Sequence, residues 1–334
     1  MGHTPKAGDS IKNRYLLDYF QQHFPRVTYI DTQRWKRNPL VLVRIVWHLL
    51  THSHRHIVLS TFRTSAYRLL NLAALLHTRT PIIYFEIGGY TAQCIADGQF
   101  RAAPYRRCSR IVAEADTLVK AYHDVGLHNV CRIYNFKPVT YQARYDRPTT
   151  SPIRFVFVAR MVREKGIFDI LEACRALNAQ GLAPRYEVDF YGRFAPGLED
   201  EFQARLDDLP NAAYRGFLDL RDQANYTQME AYDVMLFPTR YPTEGCPGTI
   251  IDALIAGLPI IASRWTLADE LIGHDRCGWL FPMGDVASLT RLMAQAITQP
   301  NTLLPLRLQC RDEAEKYRIH NVLTPAMLQK LGMQ

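Results

Sequence analysis

Residues 238–263, PTRYPTEGCPGTIIDALIAGLPIIAS, restrict the fold more than any other part of this chain. The apolar run 234–237 enters a loop rich in glycine and proline that carries Glu244. The pattern predicts a short helix from near Thr249, with Asp252 in its first turn and an end at Gly257 before Pro259. A second apolar run, 260–262, follows at once. Two short apolar runs joined through a loop and a helix are a unit of a parallel α/β sheet. Such a unit aims a helix N-terminus and two carboxylates into one crevice.

The flanking sequence extends this alternation. Residues 153–158, 186–191 and 213–215 read as strands. Residues 167–179, 198–207 and 226–231 read as helices. The second half is therefore expected to be a doubly wound α/β domain, with ligands beyond the C-terminal ends of its strands. The first half is also α/β but less regular. Its strand candidates are 27–30, 57–60, 81–85, 111–113 and 130–134, and its helix candidates are 10–23, 39–53, 64–77 and 116–125. Residues 2–8 look like the loop that follows a first strand, yet no apolar run precedes them, so the first strand of this domain is expected to be absent. The polar segment 139–152 reads as a linker. The expected division is 1–145, then 146–304, then a helical tail at 305–334, broken near residues 320–324 and packing back toward the first domain.

Charge separates the halves. Residues 1–150 carry 21 lysines and arginines against nine acids, and the remainder carries 19 against 23. A basic first half suits an anionic partner: membrane surface, lipid-linked diphosphate or nucleic acid. Basic charge is the one argument for nucleic acid; no helix-turn-helix or RNP-like pattern supports it, and none is expected to bind. No apolar run approaches the roughly 20 residues that span a bilayer, and the N-terminus lacks the apolar core of a signal peptide. Seven scattered cysteines without a CxxC pair read as reduced thiols of a cytoplasmic protein without a zinc site.

Several groups carry candidate chemistry. Arg160 follows the 153–158 strand, and Lys165 and Gly166 open the next helix. Two cations there can clamp a diphosphate and neutralise charge on a departing nucleoside diphosphate. The alternative is that Arg160, Arg163 and Lys165 are ordinary surface charges, or that they pair with Glu164 and Asp169. Glu244 and Asp252 are separated by seven residues, and carboxylates accept several hydrogen bonds from sugar hydroxyls. Backbone N–H groups of Gly248, Thr249 and Ile250 would point at phosphate. Alternatively, Thr249-x-x-Asp252 is a capping box that needs no ligand. Gly192 and Gly216 end two strands and would let a nucleobase lie against the backbone.

In order, Arg160, Lys165-Gly166, Gly192, Gly216, Asp233, Pro238-Thr239, Glu244-Gly245-x-Pro247, Asp252-Ala253 and Gly257-x-Pro259-Ile260 resemble the retaining glycosyltransferases of family 4. The likeness is strong over about residues 151–300 and weaker before them. It implies the GT-B fold, two Rossmann-like domains facing a cleft. It also implies that Arg160 and Lys165 hold the donor diphosphate, that Glu244 contacts the donor sugar and that Asp252 binds the ribose. Gly245, Cys246, Pro247, Gly248, Thr249 and Ile250 would line sugar and phosphates. Two positions depart from the pattern: Asp252 replaces a longer glutamate, and Cys246 replaces a bulkier apolar residue.

In the first half, many relatives have a histidine after the strand matching 82–85; here Glu86 is followed by Gly88-Gly89. Glycine N–H groups at 88 and 89, and Asn135, are donor-side candidates. Glu86, Lys12 and Asn13 are acceptor-side candidates, with helix capping by Ser10 as the plainer reading of that turn. The helix at 39–53, flanked by Arg34, Lys36, Arg37, His54, Arg55 and His56, reads either as a core helix or as one lying on an anionic membrane.

The resemblance thus implies a cytoplasmic glycosyltransferase, peripheral on the inner membrane face. It would move a hexosyl or N-acetylhexosaminyl group, with retention, from a nucleoside-diphosphate sugar (UDP favoured) to a lipid-linked saccharide in surface polysaccharide assembly. Neither cofactor nor metal is expected. The alternative is a catalytically weak GT-B subunit that binds a nucleotide sugar or a partner transferase.

Overall fold

The computed structural model describes residues 8–32, 38–51 and 54–333, with side chains from residue 12 onward in the first of these segments. The chain forms two compact units: residues 1–138 with 319–334, and residues 139–318. The first boundary falls at 138/139 rather than 145/146, and the tail divides at 318 rather than 304.

The first unit contains helices α1 (Gly8–His23) and α2 (Pro39–Leu50), then strand β1 (Ile57–Phe62) and α3 (Arg63–Leu75). β2 (Ile82–Ile87), α4 (Thr91–Ala96), α5 (Ala103–Arg106), β3 (Arg110–Ala113), α6 (Asp116–Asp124) and β4 (Val130–Arg132) follow. The four strands form one parallel sheet in sequence order. Residues 27–30 are not a strand. Val27 packs partly on the core of this unit while Thr28 and Tyr29 face solvent, and no ladder is available to them. The expectation of a missing first strand concerns residues 1–7, which lie outside the described residues.

The second unit contains β5 (Ile153–Val158), α7 (Ile167–Ala179), β6 (Tyr186–Tyr191), α8 (Glu199–Leu206), β7 (Ala212–Tyr214), α9 (Asn225–Glu230) and β8 (Val234–Phe237). It continues with α10 (Gly248–Ile255), β9 (Ile260–Ser263), α11 (Ala268–Leu271), β10 (Gly278–Phe281), α12 (Val286–Thr298) and α13 (Leu303–Ala314). Its six parallel strands run in the order β10-β9-β8-β5-β6-β7. β5, β8 and β9 are buried almost throughout, as expected of parallel strands covered on both faces. α13 joins this core through Leu303 and Leu306.

α14 (Ile319–Val322) and α15 (Pro325–Leu331) close the first unit. Val322, Leu323, Met327 and Leu331 pack there with Leu16, Phe20, Ile83, Phe85 and Val112. The tail breaks at 323–324, between α14 and α15 as expected, and also earlier, at 315–318, because residues 303–314 serve one core and 319–333 the other.

α2 is not a core helix. Only Ile45 and Leu49 are buried, whereas Leu40, Val43 and Trp47 are 68%, 62% and 65% exposed. Its flanking Arg34, Lys36 and Arg37 lie outside the described residues. No helix among the described residues is long and apolar enough to cross a membrane.

Candidate functional site

In the second unit the strand order reverses at β5, which pairs with β6 on one side and β8 on the other. In open parallel sheets this switch point leaves a crevice at the strand C-terminal ends. Arg160 and Lys165 follow β5, and the loop with Glu244 follows β8. Adjacent strands thus deliver the predicted cations and carboxylate to one place.

The Lys165 ammonium donates to Glu244 Oε2 and pairs with it. Thr239 Oγ1 donates to the same oxygen at 3.1 Å. Lys165 Nζ also lies 5.1 Å and 5.5 Å from the ring centres of Phe237 and Tyr241. Burial pushes the ammonium below the usual lysine range; Glu244 opposes this and Arg160 adds to it. Arg160 is exposed. None of these cations pairs with Glu164 or Asp169 through its side chain: Lys165 pairs with Glu244, Arg163 with Glu201, and Asp169 with Arg240; Arg160 and Arg163 lie at the surface and only Lys165 is buried.

Gly166 links the parts. It sits at φ +74°, and a Cβ there would stand 2.1 Å from the Pro238 carbonyl oxygen. A side chain would force the starts of α7 and the Glu244 loop apart. Residues that the sequence reading missed brace this loop. Arg240 donates to both carboxylate oxygens of Asp169 at 2.9 and 2.7 Å, and its N–H reaches the Glu164 carbonyl at 2.7 Å. Trp265 Nε1 donates to the Gly245 carbonyl at 3.3 Å, and Thr266 Oγ1 to that of Pro242 at 2.8 Å. Arg240 lay inside the diagnostic segment, but its partner is 71 residues away and no spacing rule connects them.

The α10 helix departs from the expected start. It begins at Gly248 with Pro247 at the cap and no side-chain cap bond. Asp252 is therefore the fifth helical residue, past the first turn, and the Thr249-x-x-Asp252 box does not form. Asp252 is buried and accepts a hydrogen bond from the Tyr226 hydroxyl of α9. Of the three predicted phosphate-facing amides, that of Ile250 already donates to the Pro247 carbonyl at 3.1 Å. Cys246 is a buried free thiol. Gly192 and Gly216, ending β6 and β7, are joined by a 2.8 Å bond from the Gly192 N–H to the Gly216 carbonyl. Beside them the Arg193 guanidinium lies over the Phe217 ring at 4.5 Å.

Asp233, which precedes β8, lies at the opposite end of that strand. It is fully buried and accepts from Arg307 Nη2 at 2.6 Å, from the Arg154 N–H at 3.0 Å and from Thr150. Its role is to anchor α13 and the 139–152 segment to the sheet.

The first-unit candidates are used internally. Lys12 forms a buried pair with Glu114. Asn13 donates to the Ser60 carbonyl at 3.2 Å and accepts from Ser60 Oγ at 2.6 Å, tying α1 to β1. Glu86 is 2% exposed, and its Oε1 accepts the Thr91 N–H at 2.7 Å at the start of α4. All three thus have partners within the first unit. Gly88 and Gly89 lie just past β2 at φ +92° and +65°. Asn135 follows β4 and its Oδ1 accepts the Phe136 N–H at 2.9 Å. The capping role considered for Ser10 concerns a side chain outside those described. Among the described residues, no group of three or more His, Cys, Asp or Glu is placed to hold a metal ion.

A family model described as glycosyl transferases group 1 matches residues 142–317. The chain is 28% identical over 192 residues to the amylovoran biosynthesis glycosyltransferase AmsK of Erwinia amylovora, covering 56% of this chain and 46% of that protein. It is 28% identical over 182 residues to the putative colanic acid biosynthesis glycosyltransferase WcaL of Escherichia coli K12, covering 52% and 44%. These matches thus span less than half the length of each relative. The Anabaena protein HepE, solved with UDP and glucose, superposes with a TM-score of 0.64 at 18% identity, covering 95% of this chain and 89% of that one. That likeness shows the fold, GT-B, with its two Rossmann-like units.

Proposed function

Because the chain belongs to the group 1 glycosyl transferases, we propose that it transfers a sugar from a nucleoside-diphosphate donor to a hydroxyl of a lipid-linked saccharide. The observation that carries this reading is the Lys165–Glu244 pair at the β5/β8 switch point, with Arg160 exposed alongside. On binding, the donor diphosphate takes over Lys165 and Arg160, and Glu244 turns to the hydroxyls of the donor sugar. Gly245, Cys246, Pro247, Gly248 and Thr249 line sugar and phosphates, Asp252 meets the ribose, and the base lies against Gly192 and Gly216. The bond between the anomeric carbon and the diphosphate breaks as the acceptor oxygen bonds to the same face. The departing phosphate takes the acceptor proton, and Lys165 and Arg160 stabilise its charge without a metal.

UDP is the favoured nucleotide because HepE binds UDP. The names of AmsK and WcaL, biosynthesis glycosyltransferases for amylovoran and colanic acid, support a step in polysaccharide biosynthesis. We place that step in surface polysaccharide assembly, at the cytoplasmic face of the membrane. The transferred group is a hexosyl or N-acetylhexosaminyl unit. A thermal-shift screen with UDP, GDP, ADP and their sugars tests the reading, since a ligand that binds only the folded chain raises its melting temperature. UDP is expected to stabilise the wild type and not Lys165→Ala. Equal stabilisation of both, or none by any nucleotide, would remove the diphosphate site from the switch point.

A further inference from the structure

We propose that the exposed face of α2 docks the protein onto a bilayer containing anionic phospholipid. This inference deepens the reading of a lipid-linked acceptor by naming the surface that meets the membrane. At helical spacing, residues 40, 43, 47 and 50 share one face, opposite the buried Ile45 and Leu49. All four are exposed and apolar: Leu40, Val43, Trp47 and Leu50. A contiguous apolar strip of this kind on a soluble surface marks an interaction site.

The end of α3 lies near the end of α2: Thr78 Oγ1 donates to the Leu49 carbonyl at 3.1 Å. Leu75, at that end, is 75% exposed, and Arg79 is also exposed. Arg44 stands on α2 itself and Arg55 shortly after it, both exposed. Charge selects the occupant. Between Asp31 and Glu86 the chain has eight lysines and arginines and no acidic residue.

A second copy of this face would bring like charges together. Nucleic acid would use the cations and leave Leu40, Val43 and Trp47 in water. An anionic bilayer satisfies both parts: the apolar strip enters the boundary between headgroups and acyl chains, and nearby cations are attracted to the anionic headgroups. Trp47 suits that boundary, with an apolar ring and one polar N–H.

The test is co-sedimentation of the full chain with phosphatidylcholine vesicles, with and without phosphatidylglycerol. Binding is expected to need the anionic lipid and to weaken as salt rises. The triple variant Leu40→Ser, Val43→Ser, Trp47→Ser is expected to bind at least about tenfold more weakly. Circular dichroism should show it folded, since all three side chains face solvent. Undiminished binding by this variant would overturn the proposal, as would failure of the wild type to bind either vesicle. A wild-type dimer in light scattering, lost in the variant and unaccompanied by vesicle binding, would assign the face to a second copy. The vesicle assay needs neither donor nor acceptor, and UDP stabilisation of the same samples separates its failure from failure of the transferase reading.

Discussion

Lys165 and Glu244, 79 residues apart, form one ion pair at the point where the second sheet reverses its strand order. The cation comes from the start of α7 and the carboxylate from the loop before α10. Both side chains are largely buried, so each is the other's main compensation for lost water. Lys165→Met and Glu244→Gln should each destabilise the fold, while the double variant should be more stable than the two single losses sum to. Additive losses in chemical denaturation would show that the two residues are uncoupled. In transfer assays Lys165→Ala should lower the rate by about 10²–10³, and Glu244→Ala should abolish transfer in a folded protein. Near-normal activity in either would remove that residue from the site.

Asp252 serves two readings that a pair of variants separates. Tyr226→Phe removes the hydroxyl donated to it and should cost about 1–2 kcal/mol of stability. Asp252→Asn retains an acceptor for Tyr226 but loses the charge, and should weaken UDP binding at little cost in stability. Unchanged nucleotide affinity in Asp252→Asn would leave the carboxylate a core group only.

Gly166→Ala should be severe. Left-handed backbone alone costs a non-glycine residue about 1–3 kcal/mol, and the added Cβ would also press on the Pro238 carbonyl. Lower denaturation midpoint and slower transfer should appear together, because relief of the clash moves the Glu244 loop. Full activity in a destabilised variant would separate the loop's position from the chemistry.

Glu86 predicts a pH effect on stability. Burial raises its carboxyl above the ordinary glutamate range, with the Thr91 N–H opposing and Glu114 adding to the shift. The folded state therefore holds the proton more tightly than the unfolded chain does. Its contribution is complete below the ordinary glutamate value and is lost as pH rises through the raised one. Glu86→Gln keeps an acceptor for Thr91 and has no proton to lose. Its melting temperature should gain on the wild type as pH rises above the ordinary glutamate value. A constant difference above that value would show that Glu86 does not titrate there.

The second unit was legible because its signals are local. β8 and most of β5 and β9 are continuous apolar runs, and buried parallel strands demand that composition. The first unit was less so. Residues 27–30 had strand composition without a neighbour to pair with. Nothing near Lys12 or Asn13 in sequence announced Glu114 or Ser60 as their partners, whereas Thr91, whose N–H meets Glu86, follows it at the start of the next helix. The Thr249-x-x-Asp252 box failed because the helix starts one residue earlier, at Gly248.

The sequence by itself determined that residues 234–263 form a strand–loop–helix–strand unit, since periodicity and turn chemistry act over a few residues. It also placed Arg160, Lys165 and Glu244 near strand ends. Only the tertiary structure decided that β5 and β8 are neighbours, that Lys165 and Glu244 meet, and that Asp252 lies under Tyr226. Those facts depend on strand order and on pairings across dozens of residues, which burial and hydrogen-bond satisfaction settle for the folded unit as a whole.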